Sequence, residues 1–152
     1  MALSITELMS ELEEATQWQE TPTPLFKEDY YKMVIRGIKK LFVDTNRPSA
    51  FDNSLIIEEE TENESGEITK EIFYDMDLNI IEEAYILLVS KIEFFKRIQT
   101  DVNDKFGYTT DALTVTGADR PYANLKNSIE ELEKERRIIY YKMIDYTLGY
   151  GG

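Results

Sequence analysis

The segment Asn79-Ile-Ile-Glu-Glu-Ala-Tyr-Ile-Leu-Leu-Val-Ser-Lys-Ile-Glu-Phe-Phe-Lys-Arg-Ile98 is the most regularly patterned part of the chain. Asn79 and Glu82 have the spacing of a capping box, in which the side chain of each residue accepts a hydrogen bond from the backbone N–H of the other. Apolar residues then recur at helical spacing on a broad surface, which is typical of the buried central helix of a bundle. One stripe comprises Ile81, Tyr85, Leu88, Ile92 and Phe95, and Ile86, Val89 and Ile98 widen it.

Three further helices are predicted around this segment. The first begins at a second capping box, formed by Ser4 and Glu7. Another begins near Pro24, a residue favoured in the first turn of a helix, and ends near Asn46. The last begins near Asp119 and repeats its apolar residues at heptad spacing, which favours antiparallel packing on another helix.

Two segments interrupt the helical pattern. Residues 55–74 have strand-forming ends around a polar turn and predict a β-hairpin, and residues 104–120 predict a long loop. We therefore predict a mainly α chain, with a four-helix bundle-like single domain over residues 1–152 and a flexible tail at 149–152. The hairpin is inserted in the bundle, and its acidic tip is expected to be exposed. That tip comprises Glu58, Glu60, Glu62 and Glu64.

The composition excludes several classes of chemistry. The 152 residues are typical of one domain and include neither cysteine nor histidine. Disulfides, thiolate nucleophiles and zinc–thiolate sites are thereby excluded, and the commonest general base is missing. No Gly-rich phosphate loop or nucleophile-elbow pattern occurs. We predict no catalytic residues, no cofactor and no enzymatic activity.

Two acidic patterns were considered as metal sites. Asp75 and Asp77 are spaced like ligands of a divalent cation, but a pair just before a helix is explained by its structural position. The sequence from Asp101 begins like a calcium loop and then fails, because its sixth residue is Phe106 and its twelfth is Ala112. No metal site is predicted.

The chain is strongly acidic, with a formal net charge of −13. Such a charge repels nucleic acid unless the few cations cluster, and the small basic groups at residues 36–40 and 134–137 lie among acidic residues. No secretory leader and no apolar run of membrane-spanning length is present. We expect the chain to be made and folded in a cytoplasm, without a membrane partner.

The last predicted helix has more apolar surface than one packing partner needs. Ile138, Tyr141 and Ile144 lie off its heptad seam and form a second apolar face. Half of the ten tyrosines lie between residues 122 and 150, and tyrosine is enriched at protein interfaces. These tyrosines indicate a partner surface, and the alternative is that they fill core and boundary positions.

Several stretches together resemble the head–tail connector (adaptor) family of long-tailed bacteriophages and prophages. The resemblance rests on Tyr30-Tyr-Lys-Met-Val-Ile-Arg-Gly-Ile-Lys-Lys-Leu-Phe-Val-Asp44, on the central helix, and on the loop Tyr108-Thr-Thr-Asp-Ala-Leu-Thr-Val-Thr-Gly-Ala-Asp119 before the final helix. The resemblance lies in the order of the predicted elements and extends over most of the chain. The predicted hairpin is a departure, because the simplest members of the family are all-helical. The resemblance implies a homo-oligomeric ring of about a dozen copies beneath the portal of a virion.

The resemblance implies roles for residues of the C-terminal region and of the long loop. Residues 140–150 would dock on the portal protein, and Leu113 and Val115 would contact a neighbouring subunit or the next neck or tail protein. DNA would pass through the ring without specific binding, since an acidic lumen repels phosphate. The predicted portal contacts are Tyr140, Tyr141, Ile144, Tyr146, Leu148 and Tyr150.

Two other classes of function remain open at this point. The acidic hairpin tip is also expected of a regulatory protein that mimics DNA and occupies a basic nucleic-acid-binding site. An enzyme using carboxylates and tyrosines would need a concave pocket with convergent polar groups.

Overall fold

The computed structural model describes residues 2–45, 50–106, 122 and 124–151, and the side chains of these up to 104 and from 122 to 144. The described residues form four α-helices and a three-stranded antiparallel sheet, which confirms the mainly α prediction. The predicted loop contacts Leu113 and Val115 lie outside this part of the chain. The elements are β1 (Ala2–Ser4), α1 (Ile5–Thr16), α2 (Lys27–Asp44), a 3-10 turn (Asn53–Leu55), β2 (Ile56–Glu62), β3 (Ile68–Asp77), α3 (Ile80–Phe106) and α4 (Leu125–Gly151).

Helix α3 packs against α1, α2 and α4 and is the central helix of the described fold. Its predicted capping box is confirmed: Glu82 N–H donates to Asn79 Oδ1 at 2.8 Å, and Asn79 N–H donates to the Glu82 carboxylate at 3.1 Å. The apolar stripe is buried because neighbouring elements cover it, with Tyr85, Ile86 and Ile98 fully inaccessible to solvent.

Helices α2 and α3 approach each other closely at Gly37. A Cβ atom at this position would lie 2.7 Å from the backbone oxygen of Ile86 and 2.8 Å from Ser90 Oγ. Both contacts are shorter than carbon and oxygen tolerate, so only glycine fits here without displacing α3. The buried Ser90 hydroxyl is satisfied by donating to the Ile86 carbonyl at 2.7 Å.

The predicted start of α2 near Pro24 is wrong by three residues. Phe26 is the N-cap and its N–H donates to the Asp29 carboxylate at 2.9 Å, so this carboxylate, together with the other first-turn acid, Glu28, fixes the start at Lys27. The Asp29 side chain also accepts from Arg97 Nη1 of α3 at 3.2 Å. One carboxylate therefore both caps α2 and links it to the central helix.

The sheet has the order β1-β3-β2, with both pairings antiparallel. Strand β1 is not among the elements predicted from the sequence, which place only the start of a helix at this point. Leu3 instead pairs with Tyr74 of β3, and both side chains are buried in the core. The predicted limits of 55–74 are also too narrow, because β3 continues to Asp77 where it pairs with Ala2.

Helix α4 lies antiparallel to α3. Its Glu133 faces Lys96 at 3.8 Å, while Arg136, further along α4, reaches Tyr85, which lies earlier on α3. The helix begins at Leu125 and not near Asp119 as predicted, and it extends to Gly151. Heptad spacing thus corresponds to a seam between two helices.

Candidate interaction surfaces

The outer face of α4 exposes large apolar side chains. Ile138 is 56% exposed and Tyr141 is 63% exposed, whereas Met143 on the seam is buried. The rings of Tyr140 and Tyr141 contact edge to face with centroids 5.7 Å apart. Because helical geometry turns residues 138 and 141 away from α3, these side chains form an apolar surface, which we call the α4 outer face.

The predicted portal contacts occupy different environments. Tyr141 is exposed on the α4 outer face, while Tyr140 and Ile144 are half-buried, and Tyr140 packs against the core. The backbone of α4 extends through the remaining predicted contacts, whose side chains lie outside the described set: Tyr146, Leu148 and Tyr150. The structure therefore brings Tyr140, Tyr141 and Ile144 to one end of α4.

The acidic residues of the hairpin are exposed along β2 and its turn. Gly66 adopts a positive φ of 82°, which only glycine adopts readily, and reverses the chain there. Asn63 Oδ1 accepts hydrogen bonds from the N–H groups of Ser65 and Glu67, at 3.0 and 2.8 Å. The turn is thus held by its own polar groups. Of the residues predicted at an acidic tip, Glu64 lies in the turn, whereas Glu58, Glu60 and Glu62 are exposed along β2.

A partly buried polar cluster joins α2, α3 and α4. Arg136 donates from Nε to Glu133 at 2.8 Å and from Nη1 to the Tyr85 hydroxyl at 3.2 Å. Tyr85 in turn donates to the Asp44 carboxylate, which lies 3.6 Å from Arg136. Burial raises the pKa of Tyr85 to about 12, and its hydrogen bond to Asp44 acts in the same direction. At neutral pH this tyrosine is therefore a neutral donor that holds three helices together.

The sequence analysis missed this cluster. Arg136 belongs to the basic group at residues 134–137, for which the sequence predicts no buried contact, but its side chain is only 21% exposed. The available signal was the heptad seam itself, which steps by seven residues across Arg136. A charged residue at a seam position requires polar partners on the facing helices.

A groove of about 490 Å³ lies between α1, the start of α2 and the hairpin. Apolar and aromatic side chains line it, together with carboxylates and the ammonium groups of Lys27 and Lys70. Lys70 is paired with Glu58 at 2.9 Å, which closes the groove on the hairpin side. The principal wall residues are Met9, Glu13, Tyr30, Tyr31 and Ile72.

The described residues offer neither a cluster of metal ligands nor a membrane-spanning helix. No group of three or more acidic side chains in this part of the chain is arranged to hold a metal ion. Asp101, which begins the rejected calcium-like pattern, instead lies 3.6 Å from Arg97. None of the helices, over the same residues, combines the length and apolar character that crossing a membrane requires.

Among the described residues, the α4 outer face and the carboxylates of β2 are thus exposed surfaces of distinct character, one apolar and one acidic. Comparison of the chain with protein-family models, with curated proteins and with solved structures finds no match.

Proposed function

We propose that this chain is a structural protein of the neck of a tailed bacteriophage or prophage. Copies of the chain would form a ring between the portal and the tail, and DNA would pass through it. The observation that carries the proposal is the α4 outer face, where Ile138 and Tyr141 are more than half exposed. Large apolar side chains on a helix that has already packed against α3 favour a second protein partner.

The position of this face supports docking through the last turns of α4. Tyr141 lies on the α4 outer face and Ile144 is half-buried one turn further on. The helix then continues to Gly151, so an apolar partner surface along its last turns would be contiguous with Tyr141. The proposed occupant is the portal, with neighbouring copies of the chain completing the ring.

The charge of the chain supports a DNA channel. With a net charge of −13 per copy, a ring presents a field that repels the phosphates of passing DNA. The exposed glutamates of β2 contribute to that field. Repulsion of this kind allows DNA to slide, whereas a basic lumen would retain it through phosphate contacts.

The proposal includes the arrangement of the helices and of the hairpin within each subunit. We consider the four helices a bundle-like unit into which the hairpin, with its acidic tip, is inserted between α2 and α3. In a ring, such an insertion would project towards a neighbour, while the helices would supply the body of the subunit.

The decisive experiment combines particle composition with a surface variant. In virions of a phage or prophage that encodes the chain, mass spectrometry is expected to find it in purified particles. The double variant Ile138→Ser/Tyr141→Ser should fold with unchanged thermal stability, because both side chains are exposed, and yet fail to enter particles. Val43→Ser is the control, since Val43 is an apolar residue that is 74% exposed on a different helix, α2.

Two results would contradict the proposal. One is absence of the chain from particles that are otherwise complete. The other is normal incorporation of the Ile138→Ser/Tyr141→Ser variant, which would show that the α4 outer face contacts nothing in the neck.

A second candidate function is an acidic regulatory protein that occupies a basic nucleic-acid-binding site. The exposed glutamates of the hairpin favour it, because closely spaced carboxylates imitate phosphate charge. The test is competition between the chain and duplex DNA for a bacterial nucleoid protein at several salt concentrations. Glu60→Gln/Glu62→Gln should weaken competition, and unchanged competition would contradict this function.

A further inference from the structure

Strand β2 is an edge strand of the sheet. In the order β1-β3-β2, it has β3 on one side and, among the residues that the structure describes, no strand on the other. All of its residues after Ile56 are exposed. An exposed strand edge presents unpaired backbone N–H and C=O groups that another extended segment can bind.

The hydrogen-bond register identifies which residues face the open edge. Glu62 lies opposite Ile68, so Asn63 lies opposite Glu67, and Asn63 N–H donates to the Glu67 carbonyl at 2.9 Å. A directly opposed pair joined in this way alternates with pairs that are not joined. The backbone groups of Ile57, Glu59 and Thr61 therefore bond to β3, and those of the intervening residues point outwards. The outward residues are Glu58, Glu60 and Glu62.

The same three residues also share one face of the strand, because side chains alternate with period two. Glu58 is paired with Lys70 at 2.9 Å. Glu60 and Glu62 form no ion pair with any described residue. Glu60 lies directly opposite Lys70 of β3, whose ammonium is shared with Glu58, so one cation faces the three carboxylates Glu58, Glu60 and Glu62 beside the outward backbone groups.

We propose that the open edge of β2 binds an extended segment of another protein that carries lysine or arginine at every second position. The segment would add an antiparallel fourth strand beyond β2. Its basic residues would lie directly opposite Glu58, Glu60 and Glu62, where cross-strand side chains are about 4.5–5.5 Å apart at Cβ. Backbone hydrogen bonds would supply general affinity for an extended chain, and the carboxylates would select a basic one.

A second copy of this chain is a poor occupant of the same edge. Antiparallel pairing of two β2 strands about Glu60 would place Glu60 opposite Glu60 and Glu58 opposite Glu62. Directly opposed like charges destabilise a sheet. The edge therefore disfavours self-association and favours a basic segment from a different protein. This inference depends only on the hairpin and is independent of the proposed neck function.

The primary experiment is amide hydrogen exchange followed by NMR on the full chain. In the free protein, the amides of Ile57, Glu59 and Thr61 should be protected and those of Glu58, Glu60 and Glu62 should exchange rapidly. The probe is the peptide acetyl-Thr-Lys-Val-Lys-Val-Lys-Thr-amide. Its binding should slow exchange at the second set by at least about tenfold and leave the first set unchanged.

N-methylated peptides separate strand pairing from charge attraction. In the proposed antiparallel register the lysine N–H groups face β2 and the valine N–H groups face away. N-methylation of the lysines should therefore abolish binding, while N-methylation of the valines, which retains the same charge, should leave it within about twofold.

Variants of the chain test the role of the carboxylates. Glu60→Gln and Glu62→Gln should each weaken binding of the unmodified peptide by about two- to fivefold, the range of a cross-strand charge pair. Glu59→Gln is the matched control, because it removes the same charge from the same strand on the opposite face. It should have less than about half that effect.

The proposal is overturned by any of three outcomes. Equal binding of the two N-methylated peptides would mean charge attraction alone. Protection of the Glu58, Glu60 and Glu62 amides without peptide, together with a dimer in sedimentation, would identify a second copy as occupant. Absence of peptide binding would show that the edge rejects strands altogether.

Discussion

Substitution of Gly37 by alanine provides the sharpest test of the packing described above. The new Cβ would lie 2.7 Å from the Ile86 carbonyl oxygen and 2.8 Å from Ser90 Oγ. A carbon and an oxygen are comfortable at about 3.3 Å, so the overlap is about half an ångström. Because the Ile86 oxygen belongs to the backbone, it cannot rotate away, and α2 must move relative to α3.

The expected free-energy change follows from two opposing terms. Overpacking of a close helix contact costs about 2–3 kcal/mol when backbone atoms are involved. Alanine gains about 1 kcal/mol over glycine from its higher helix propensity. Gly37→Ala is therefore expected to lower the free energy of unfolding by about 1–2 kcal/mol.

Urea unfolding followed by circular dichroism measures this change. The midpoint should fall while the dependence on urea stays the same, since the surface exposed on unfolding is nearly unaltered. Ser90→Ala is the companion variant, because it removes one of the two short contacts. In that background Gly37→Ala should cost less. An increase in stability of about 1 kcal/mol for Gly37→Ala, as at an open helix position, would refute the close approach of α2 and α3.

Two further predictions concern titratable groups. The pKa of Tyr85 is raised above its usual 10, to about 12, by burial and by donation to Asp44, so the folded state retains a proton that the unfolded state has lost. The contribution of Tyr85 to the free energy of unfolding is fully present below pH 10 and is lost as pH rises to 12, by at most about 2.7 kcal/mol. A pH series of urea unfolding should show this loss, and Tyr85→Phe should flatten the pH dependence. The hydrogen bond from Phe26 N–H, with Arg97, lowers the pKa of Asp29 below its usual 3.8. The stabilisation by ionised Asp29 is present above pH 3.8 and disappears on further acidification. Asp29→Ala should lower the free energy of unfolding by about 1 kcal/mol near neutral pH, because the helix loses a cap. An unchanged urea midpoint would contradict the capping role.

The sequence predicts best where a signal is local. The capping boxes of α1 and α3 were recognised because both partners lie within one turn, and the serine half of the first is confirmed by donation from Glu7 N–H to Ser4 Oγ at 3.2 Å. Strand β1 was missed because it has three residues and its strand geometry comes from pairing with residues of β3 that lie 69 to 75 positions later in the chain. Such an element has no periodicity of its own.

For the candidate surfaces too, local features were predicted and features that depend on distant residues were not. The second apolar face of α4 was predicted from helical spacing, and Ile138 and Tyr141 are exposed there. The environment of Tyr140 depends on how α4 rotates against α3, which periodicity specifies only approximately, and this side chain is half-buried. The Arg136 cluster was missed because Asp44 and Tyr85 lie on two other helices, distant in sequence.

The pairing of β1 with β3 has a consequence for the order in which this chain folds. The hairpin of β2 and β3 closes a short loop and can form early, whereas β1 must be joined across the whole of α1 and α2. Thr6 Oγ1, which accepts a hydrogen bond from Ile72 N–H at 2.7 Å, is part of the same late contact. On a ribosome, β1 would therefore be synthesised well before β3 and yet be among the last elements to reach its final place, and this non-local pairing should limit the folding rate.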